Sequence, residues 1–380
     1  MKGRSSNRGE HPKMKILYCI TSSSWGGAQL HVLELCADQL ARGNEVTFIV
    51  GNKGPLLDKV KQLKGVKVIL LPSLVREISP TNDIKAIVEL RKIIKSESPD
   101  IVHLHSSKAG VIGRLSSIGL RRKIKVIFTV HGWAFTDGVS SRLKKSLYRI
   151  IEKSVRHFTD LFICVSYYDE KIGKRDKVLD STSNVKVIHN GSITPSEQNI
   201  NYSVHTPLRL VMIARFSPQK DQETLINAVT KLPKDKYKLT FVGDGETLQT
   251  NKELVSKYGL DHNIKFAGFK DDISDELINN DVYILSTHYE GLPISIIEAM
   301  SYGLPILATN VGGNSEMLEN NINGFLFTSK DELAEKLNYL INNPETVKKM
   351  GQKSYRIFSD EYSLSKCLTK INNSYLELLD

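Results

Sequence analysis

Residues 15–50 read KILYCITSSSWGGAQLHVLELCADQLARGNEVTFIV, and the order of residue types in this stretch decides the fold. Lys15–Ile20 is a short apolar run with the length and texture of a strand buried on both faces. Trp25-Gly26-Gly27 makes a turn, and apolar residues then recur at helical spacing from Ala28 to Arg42, where Gly43 ends the run. Glu45–Val50 resumes as strand. Strand, crossover helix and strand in such close succession form a βαβ unit, and that unit implies a parallel sheet.

The alternation continues outward from this unit. Further strands are expected at Val66–Leu71, Ile101–Leu104, Val126–Val130, Leu161–Val165 and Val185–Ile188, with helices at Ile84–Ser96 and Ser140–Phe158. The polar stretch Thr194–Pro207 reads as a linker. After it the pattern restarts, with strands at Arg209–Ala214, Lys238–Val242, Ile264–Phe266, Val282–Leu285 and Ile306–Thr309. Helices at Gln222–Lys231, Leu248–Tyr258, Ile273–Asn279 and Ile294–Ser301 separate these strands, and helices at Lys330–Asn342 and Ser363–Leu379 follow. The fold class is therefore α/β, with two facing, Rossmann-like, doubly wound domains and a deep cleft between them. Ligands of such sheets bind beyond the carboxyl ends of the strands. The expected division is a domain over 14–194, a linker over 195–207, a domain over 208–360, and a C-terminal helix over 361–380 that packs back toward the first domain.

Composition excludes several classes. The chain has 380 residues, 40% hydrophobic and 25% charged, which suits a globular protein with more than one core. No apolar run is long enough to span a membrane, and the polar start MKGRSSNRGEHPK lacks the apolar segment of a signal peptide. Because Met14 stands directly before the first strand, residues 1–13 read as a disordered leader or a cloning remnant. Four scattered cysteines, Cys19, Cys36, Cys164 and Cys367, read as reduced core thiols of a cytoplasmic protein. The net charge of +10 is unevenly spread: residues 1–200 hold 33 basic and 18 acidic side chains, and residues 201–380 hold 19 and 24. The first half therefore faces polyanions, either nucleic acid or an anionic membrane.

Chemistry concentrates in the second half. Tyr289-Glu290-Gly291-Leu292-Pro293-Ile294-Ser295 leads from a strand into a helix, with Pro293 suited to its first turn. The free amides of Leu292, Ile294 and Ser295 and the positive helix end form an anion site fit for a diphosphate. Glu290 precedes that end and Glu298 lies about a turn and a half inside, so the two carboxylates reach opposite ends of a ligand whose phosphates sit between them. Arg215 and Lys220 follow the first strand of this half, a planar fork and a point charge for phosphate oxygens. The bland readings are a helix-end acid, a surface glutamate and a solvated basic pair. Two phosphate-compatible features in one domain reinforce each other.

Together these residues resemble the retaining glycosyltransferases of the GT-B fold, family 4, whose second-half pattern is R-x4-K, then V-G-D/E-G, then E-x7-E. Here the pattern is Arg215 with Lys220, Val242-Gly243-Asp244-Gly245, and Glu290 with Glu298. The first half resembles the subgroup that builds bacterial capsules and exopolysaccharides, through Trp25-Gly26-Gly27-Ala28, His103–Gly110 and His131-Gly132-Trp133-Ala134-Phe135. The resemblance implies catalytic roles for His131, Arg215, Lys220 and Glu290. It implies a donor site of Gly27, Arg215, Lys220, Gly245, Phe269, Lys270, Glu290, Gly291, Leu292, Pro293, Ile294, Ser295 and Glu298. Within that site Glu298 takes the ribose hydroxyls, Glu290 the donor sugar, and Gly27 allows close approach to the phosphates. Gly26, Ser106, Lys108 and Trp133 are placed at the acceptor by position.

The implied reaction moves a sugar, an N-acetylated hexosamine or a deoxyamino sugar, from a UDP-sugar to a polyprenyl-diphosphate-linked saccharide with retention. GDP and ADP remain open as carriers. No D-x-D motif stands at a strand end, so no essential metal and no cofactor are expected, with the cations and the helix end in their place. The basic first half then reads as facing the inner surface of the cell membrane. In the run Ser140–Phe158, an apolar stripe of Leu143, Leu147, Ile150, Ile151 and Phe158 is surrounded by basic residues, and its ordinary place would be against the core. The competing readings are another GT-B enzyme, such as a UDP-sugar epimerase or a glucan synthase, and a basic nucleic-acid binder. The last lacks any recognisable binding motif.

Overall fold

The computed structural model describes residues 13–136, 141–200 and 202–380. The leader expected at 1–13 lies outside them apart from Lys13, as does Ser140, the expected start of the basic helix. Seven strands form one sheet: β1 (Lys15–Ile20), β2 (Glu45–Val50), β3 (Val66–Leu70), β4 (Ile101–His105), β5 (Lys125–Val130), β6 (Leu161–Cys164) and β7 (Val185–Val187). Their order is β3-β2-β1-β4-β5-β6-β7. Six more form a second sheet: β8 (Leu208–Ile213), β9 (Tyr237–Val242), β10 (Ile264–Phe266), β11 (Val282–Leu285), β12 (Ile306–Thr309) and β13 (Gly324–Phe327), in the order β10-β9-β8-β11-β12-β13.

In each sheet the first strand sits where the order reverses. β1 pairs in parallel with β2 and β4, and β8 with β9 and β11. This is the switch point at which a doubly wound sheet presents its ligand site. The expected α/β, GT-B-type architecture of two such sheets is what the chain adopts. Residues 16–20 of β1 and all of β4 are buried, as continuous apolar runs in parallel strands must be.

By packing, the chain divides into two compact units. One comprises residues up to 129, with 155–162 and 375–380; the other comprises 130–154 and 163–374. In the first, His103 on β4 uses both ring nitrogens, Nδ1 with the Tyr375 hydroxyl at 2.6 Å and Nε2 with the Thr129 hydroxyl at 2.7 Å. Tyr18 on β1 meets Tyr375 at 3.1 Å, so the cluster is closed by a residue of the helix Leu364–Leu379. In the second unit, the apolar faces of β8, β9, β11 and β12 and of the helices Gln222–Val229, Ile294–Ser301 and Lys330–Asn342 share one core. All four cysteines are buried and none is in a disulfide.

Several elements depart from the sequence expectation. The helix at 84–96 begins earlier, at Pro80, because proline is favourable at a first helical position. β13 is an additional strand opening on Gly324, where a Cβ would stand 1.8 Å from the Ile306 carbonyl oxygen; Asn323-Gly324 reads as a turn in isolation. The helices Ser107–Ser116, Tyr167–Arg175 and Pro344–Ile357 are also additional. The basic helix covers Arg142–Val155 and ends in a tight turn at Arg156–Phe158.

Candidate active site

The segment after β8 is pinned by Phe216, whose buried ring lies 5.8 Å from Phe241 and 5.9 Å from Phe266. Anchoring Phe216 leaves Arg215 on the exposed side, and Gln222 donates to the Arg215 carbonyl at 2.9 Å. Pro218–Lys220 make one tight turn, after which the Asp221 carboxylate accepts from the Thr224 amide and caps the helix Gln222–Val229. The turn after β9 lies alongside: the Phe216 amide donates to Asp244 O at 2.9 Å. At Gly245 (φ +150) a Cβ would approach the Phe216 carbonyl oxygen to 2.1 Å, so only glycine permits this contact. The Gly243 amide donates to Gly268 O at 2.8 Å, which brings Phe269 and Lys270 to the same edge. Phe269 is exposed there, and Lys270 is paired with Glu276.

The segment after β11 is laced to the Lys220 turn. The His288 amide donates to Gln219 O at 2.8 Å, and Gln219 Nε2 donates back to Tyr289 O at 2.7 Å. Between these bonds Lys220 Nζ forms a direct ion pair with Glu290 Oε1, which also accepts from Thr287 Oγ1 at 2.9 Å. The Lys220 side chain is 18% exposed and that of Glu290 8%, so the pair is partly desolvated. Pro293 proves to be the residue before the helix rather than its first turn, and the helix runs Ile294–Ser301. No side chain caps its start and no acid sits in its first turn; the Ile296 amide donates to Pro293 O at 3.2 Å, which leaves the amides of Ile294 and Ser295 as donors. The Ser295 hydroxyl bonds Tyr283. Glu298 is half-buried, and burial raises its carboxyl from 4.5 to about 7. It has no hydrogen-bond or ion-pair partner among the described residues.

His131 and Gly132 follow β5 and pack against Gly291, the neighbour of Glu290. A Cβ at Gly291 would lie 3.3 Å from the Gly132 nitrogen and 3.4 Å from the His131 carbonyl carbon. Thus the second unit alone gathers His131, Lys220, Glu290 and the 291–295 helix start. Three residues that the sequence reading passed over hold this assembly. Asp169 is fully buried beside Gly291, accepts from Ser166 Oγ at 2.9 Å and from the Gly132 amide, and is raised from 3.8 to about 7, chiefly by burial. Asn190 Nδ2 donates to Leu292 O at 3.1 Å. The Glu316 carboxylate accepts from the amides of Tyr167 and Tyr168 at 2.8 and 2.7 Å, and meets His189 Nε2 at 3.1 Å. The dipeptides Asn190-Gly191 and Gly312-Gly313 were the available signals, since each marks a close backbone approach.

Of the residues expected at the acceptor, Trp133 is buried, donates from Nε1 to Asp169 O at 2.7 Å and stacks on Phe135. The others lie in the first unit. Gly26 and Gly27 begin the helix Gly27–Ala41, and Ser106 (φ +69) bonds Thr21 Oγ1 at 2.7 Å and precedes the helix Ser107–Ser116. Lys108 pairs with Asp83 and donates to the Glu77 carbonyl at 2.9 Å, so an anion there would have to share it.

Known proteins match this arrangement over nearly the whole chain. The family described as Glycosyltransferase Family 4 matches residues 25–193, and that described as Glycosyl transferases group 1 matches 195–357. The chain is 28% identical, over 97% of its length and 98% of the relative's, to the UDP-Gal:alpha-D-GlcNAc-diphosphoundecaprenol alpha-1,3-galactosyltransferase of Escherichia coli. It is 29% identical, over 76% of its length and 80% of the relative's, to the putative glycosyltransferase EpsD of Bacillus subtilis. Anabaena HepE, solved in complex with UDP, superposes with a TM-score of 0.79 at 22% identity, covering 96% of this chain and all of that one. Two matched domains in the expected order, on two sheets of the expected topology, make this chain a glycosyltransferase of family 4 with the GT-B fold.

Proposed function

We propose that this chain transfers a hexosyl residue, with retention of configuration, from a UDP-sugar to a polyprenyl-diphosphate-linked saccharide during assembly of a bacterial surface polysaccharide. The observation that carries the reading is the Lys220–Glu290 pair at the uncapped start of the helix Ile294–Ser301, with the unpartnered Glu298 carboxylate on that helix. A diphosphate placed there meets Lys220, Arg215 and the first-turn amides. These groups stabilise its charge as the bond from the anomeric carbon to the phosphate oxygen breaks. Glu290, already fixed by Lys220 and Thr287, takes hydroxyls of the sugar, and Glu298 takes those of the ribose. The acceptor hydroxyl attacks from the side the diphosphate leaves, and its proton passes to the departing phosphate oxygen. Lys220, Arg215 and the helix start also supply the positive charge a divalent ion would, so turnover persists in chelator. The E. coli relative acts with UDP-galactose on a diphosphoundecaprenol-linked sugar, which supports a uridine donor and a lipid-borne acceptor. Such an acceptor puts the enzyme at the inner face of the cell membrane. Among the described residues no helix is long and apolar enough to cross one.

The test is transfer from a panel of UDP-hexoses, galactose, N-acetylhexosamines and deoxyamino sugars among them, to polyprenyl-diphosphate-linked monosaccharides. The anomeric configuration of the product is read by NMR. Release of UDP with a retained linkage is expected. An inverted linkage refutes the mechanism, and absence of transfer across the panel refutes the acceptor class. Membership of the glycosyltransferase family speaks against the epimerase reading.

A further inference from the structure

The helix Arg142–Val155 buries Val155 at its end but turns a second apolar stripe away from the core. Its inward face carries Glu152, which is buried, and Arg149, which pairs with Asp176 at 3.5 Å and lies over the Phe135 ring. Its outward face carries Leu143, Leu147 and Ile150, 84%, 45% and 63% exposed. Spacings of four and three residues place them on a single stripe, together with the exposed Ser146 and Ser154. The stripe that would ordinarily face a core thus faces outward. An isolated exposed leucine means little, but a contiguous apolar stripe on a soluble surface marks a contact.

Charge says what that contact is. The helix holds five basic residues, Arg142, Lys144, Lys145, Arg149 and Lys153, and one acid, the buried Glu152. Arg142 and Lys144 are exposed beside the stripe, and no exposed acid interrupts the helix surface. A second copy of this chain packing symmetrically on the stripe would bring like charges together. Lipid phosphates would neutralise them, and a helix with apolar residues on one side and cations at its flanks lies naturally in a bilayer interface.

We propose that the helix Arg142–Val155 docks this enzyme on an anionic lipid bilayer, with Leu143, Leu147 and Ile150 seated at the acyl boundary and Arg142 and Lys144 on the headgroups. The proposal deepens the proposed function, resting on its lipid-borne acceptor for biological sense, by naming the surface through which that acceptor is reached.

The experiment is co-sedimentation of the full chain with vesicles of phosphatidylglycerol and phosphatidylethanolamine, against vesicles of phosphatidylcholine alone. Binding to the anionic vesicles is expected, weakened but not abolished by salt, because the apolar contact does not depend on charge. Leu147→Glu, and separately Leu143→Ser with Ile150→Ser, are expected to reduce binding by about tenfold or more. Circular dichroism and transfer to a short-chain, water-soluble acceptor should stay unchanged in both. Vesicle binding equal to that of the parent in both variants overturns the proposal. So does absence of parent binding at low salt, or a parent dimer in sedimentation velocity that the variants lose. Vesicle binding needs no turnover, so its loss without loss of soluble transfer speaks to the helix alone, and failure of transfer with intact vesicle binding speaks to the proposed reaction alone.

Discussion

Glu298 links the electrostatics of the site to a measurable rate. Burial alone raises its carboxyl from 4.5 to about 7, so ionising it in the ligand-free protein costs about 3 kcal/mol. In the proposed donor site, ribose hydroxyls donating to the carboxylate offset that cost, so the donor prefers the ionised form and pulls the pKa down on binding. By linkage, kcat/KM for the UDP-sugar rises as pH rises through the free-enzyme value. The expected gain between about pH 6 and pH 8 is about tenfold. Glu298→Gln removes the titrating group, so its profile should be flat over this range. Its kcat/KM at high pH should fall roughly 10- to 100-fold, the loss of a hydrogen bond to a charged acceptor. Initial rates at constant ionic strength and varied donor give the profile. Asp169 titrates over the same range, so Asp169→Asn is the control and should keep the slope. A flat profile in the parent, or a slope that survives in Glu298→Gln, refutes the reasoning.

The remaining predictions concern the residues around it. Asp169 has a folded pKa of about 7 against an ordinary 3.8, so between these values the folded state holds a proton that the unfolded chain has released. Stability from this group therefore falls as pH rises from about 4 to about 7, and Asp169→Asn should be more stable than the parent at pH 8 by up to about 4 kcal/mol. Urea midpoints at acid and alkaline pH check this, and parallel changes in both proteins count against it. Lys220→Ala removes the cation proposed to meet the diphosphate and leaves Glu290 unneutralised, so kcat should fall by about 10²- to 10³-fold with the fold intact; near-normal turnover of purified variant refutes the role. Gly312→Ala places a Cβ 2.0 Å from the Glu290 carbonyl oxygen at φ +56, and should lower stability by roughly 2–4 kcal/mol while displacing Glu290. A thermal melt and donor KM matching the parent would argue otherwise.

What could be read from the sequence was set by how locally each feature is encoded. The βαβ alternation from Lys15 to Val50 is written in adjacent residues, and both sheets follow it closely. The R-x4-K and E-x7-E spacings are visible because each pair lies on one short continuous stretch of chain. Asp169 was not legible, because its role arises only when Gly132, Ser166 and Gly291, far apart in sequence, close around one carboxyl. β13 was missed for a related reason: Gly324 signals a turn locally, while its missing side chain is what lets the strand lie against β12. Periodicity showed that the helix Arg142–Val155 has an apolar side, but not which way that side turns. Burial of Glu152 and pairing of Arg149 with Asp176 decide that, and both depend on residues outside the helix.

The cluster around His103 bears on how the protein is made. His103 belongs to the first sheet, yet Tyr375, which bonds it and Tyr18, comes 272 residues later in the chain. Domains generally fold as units in the order in which they are synthesised. The first unit cannot follow that order to completion, because its own interior lacks a piece until the second unit has been translated. A chain halted anywhere before Tyr375 leaves the His103 ring and the Tyr18 hydroxyl facing an empty slot, with buried polar atoms to satisfy. The interior of the first unit is therefore finished only by the last helix of the chain.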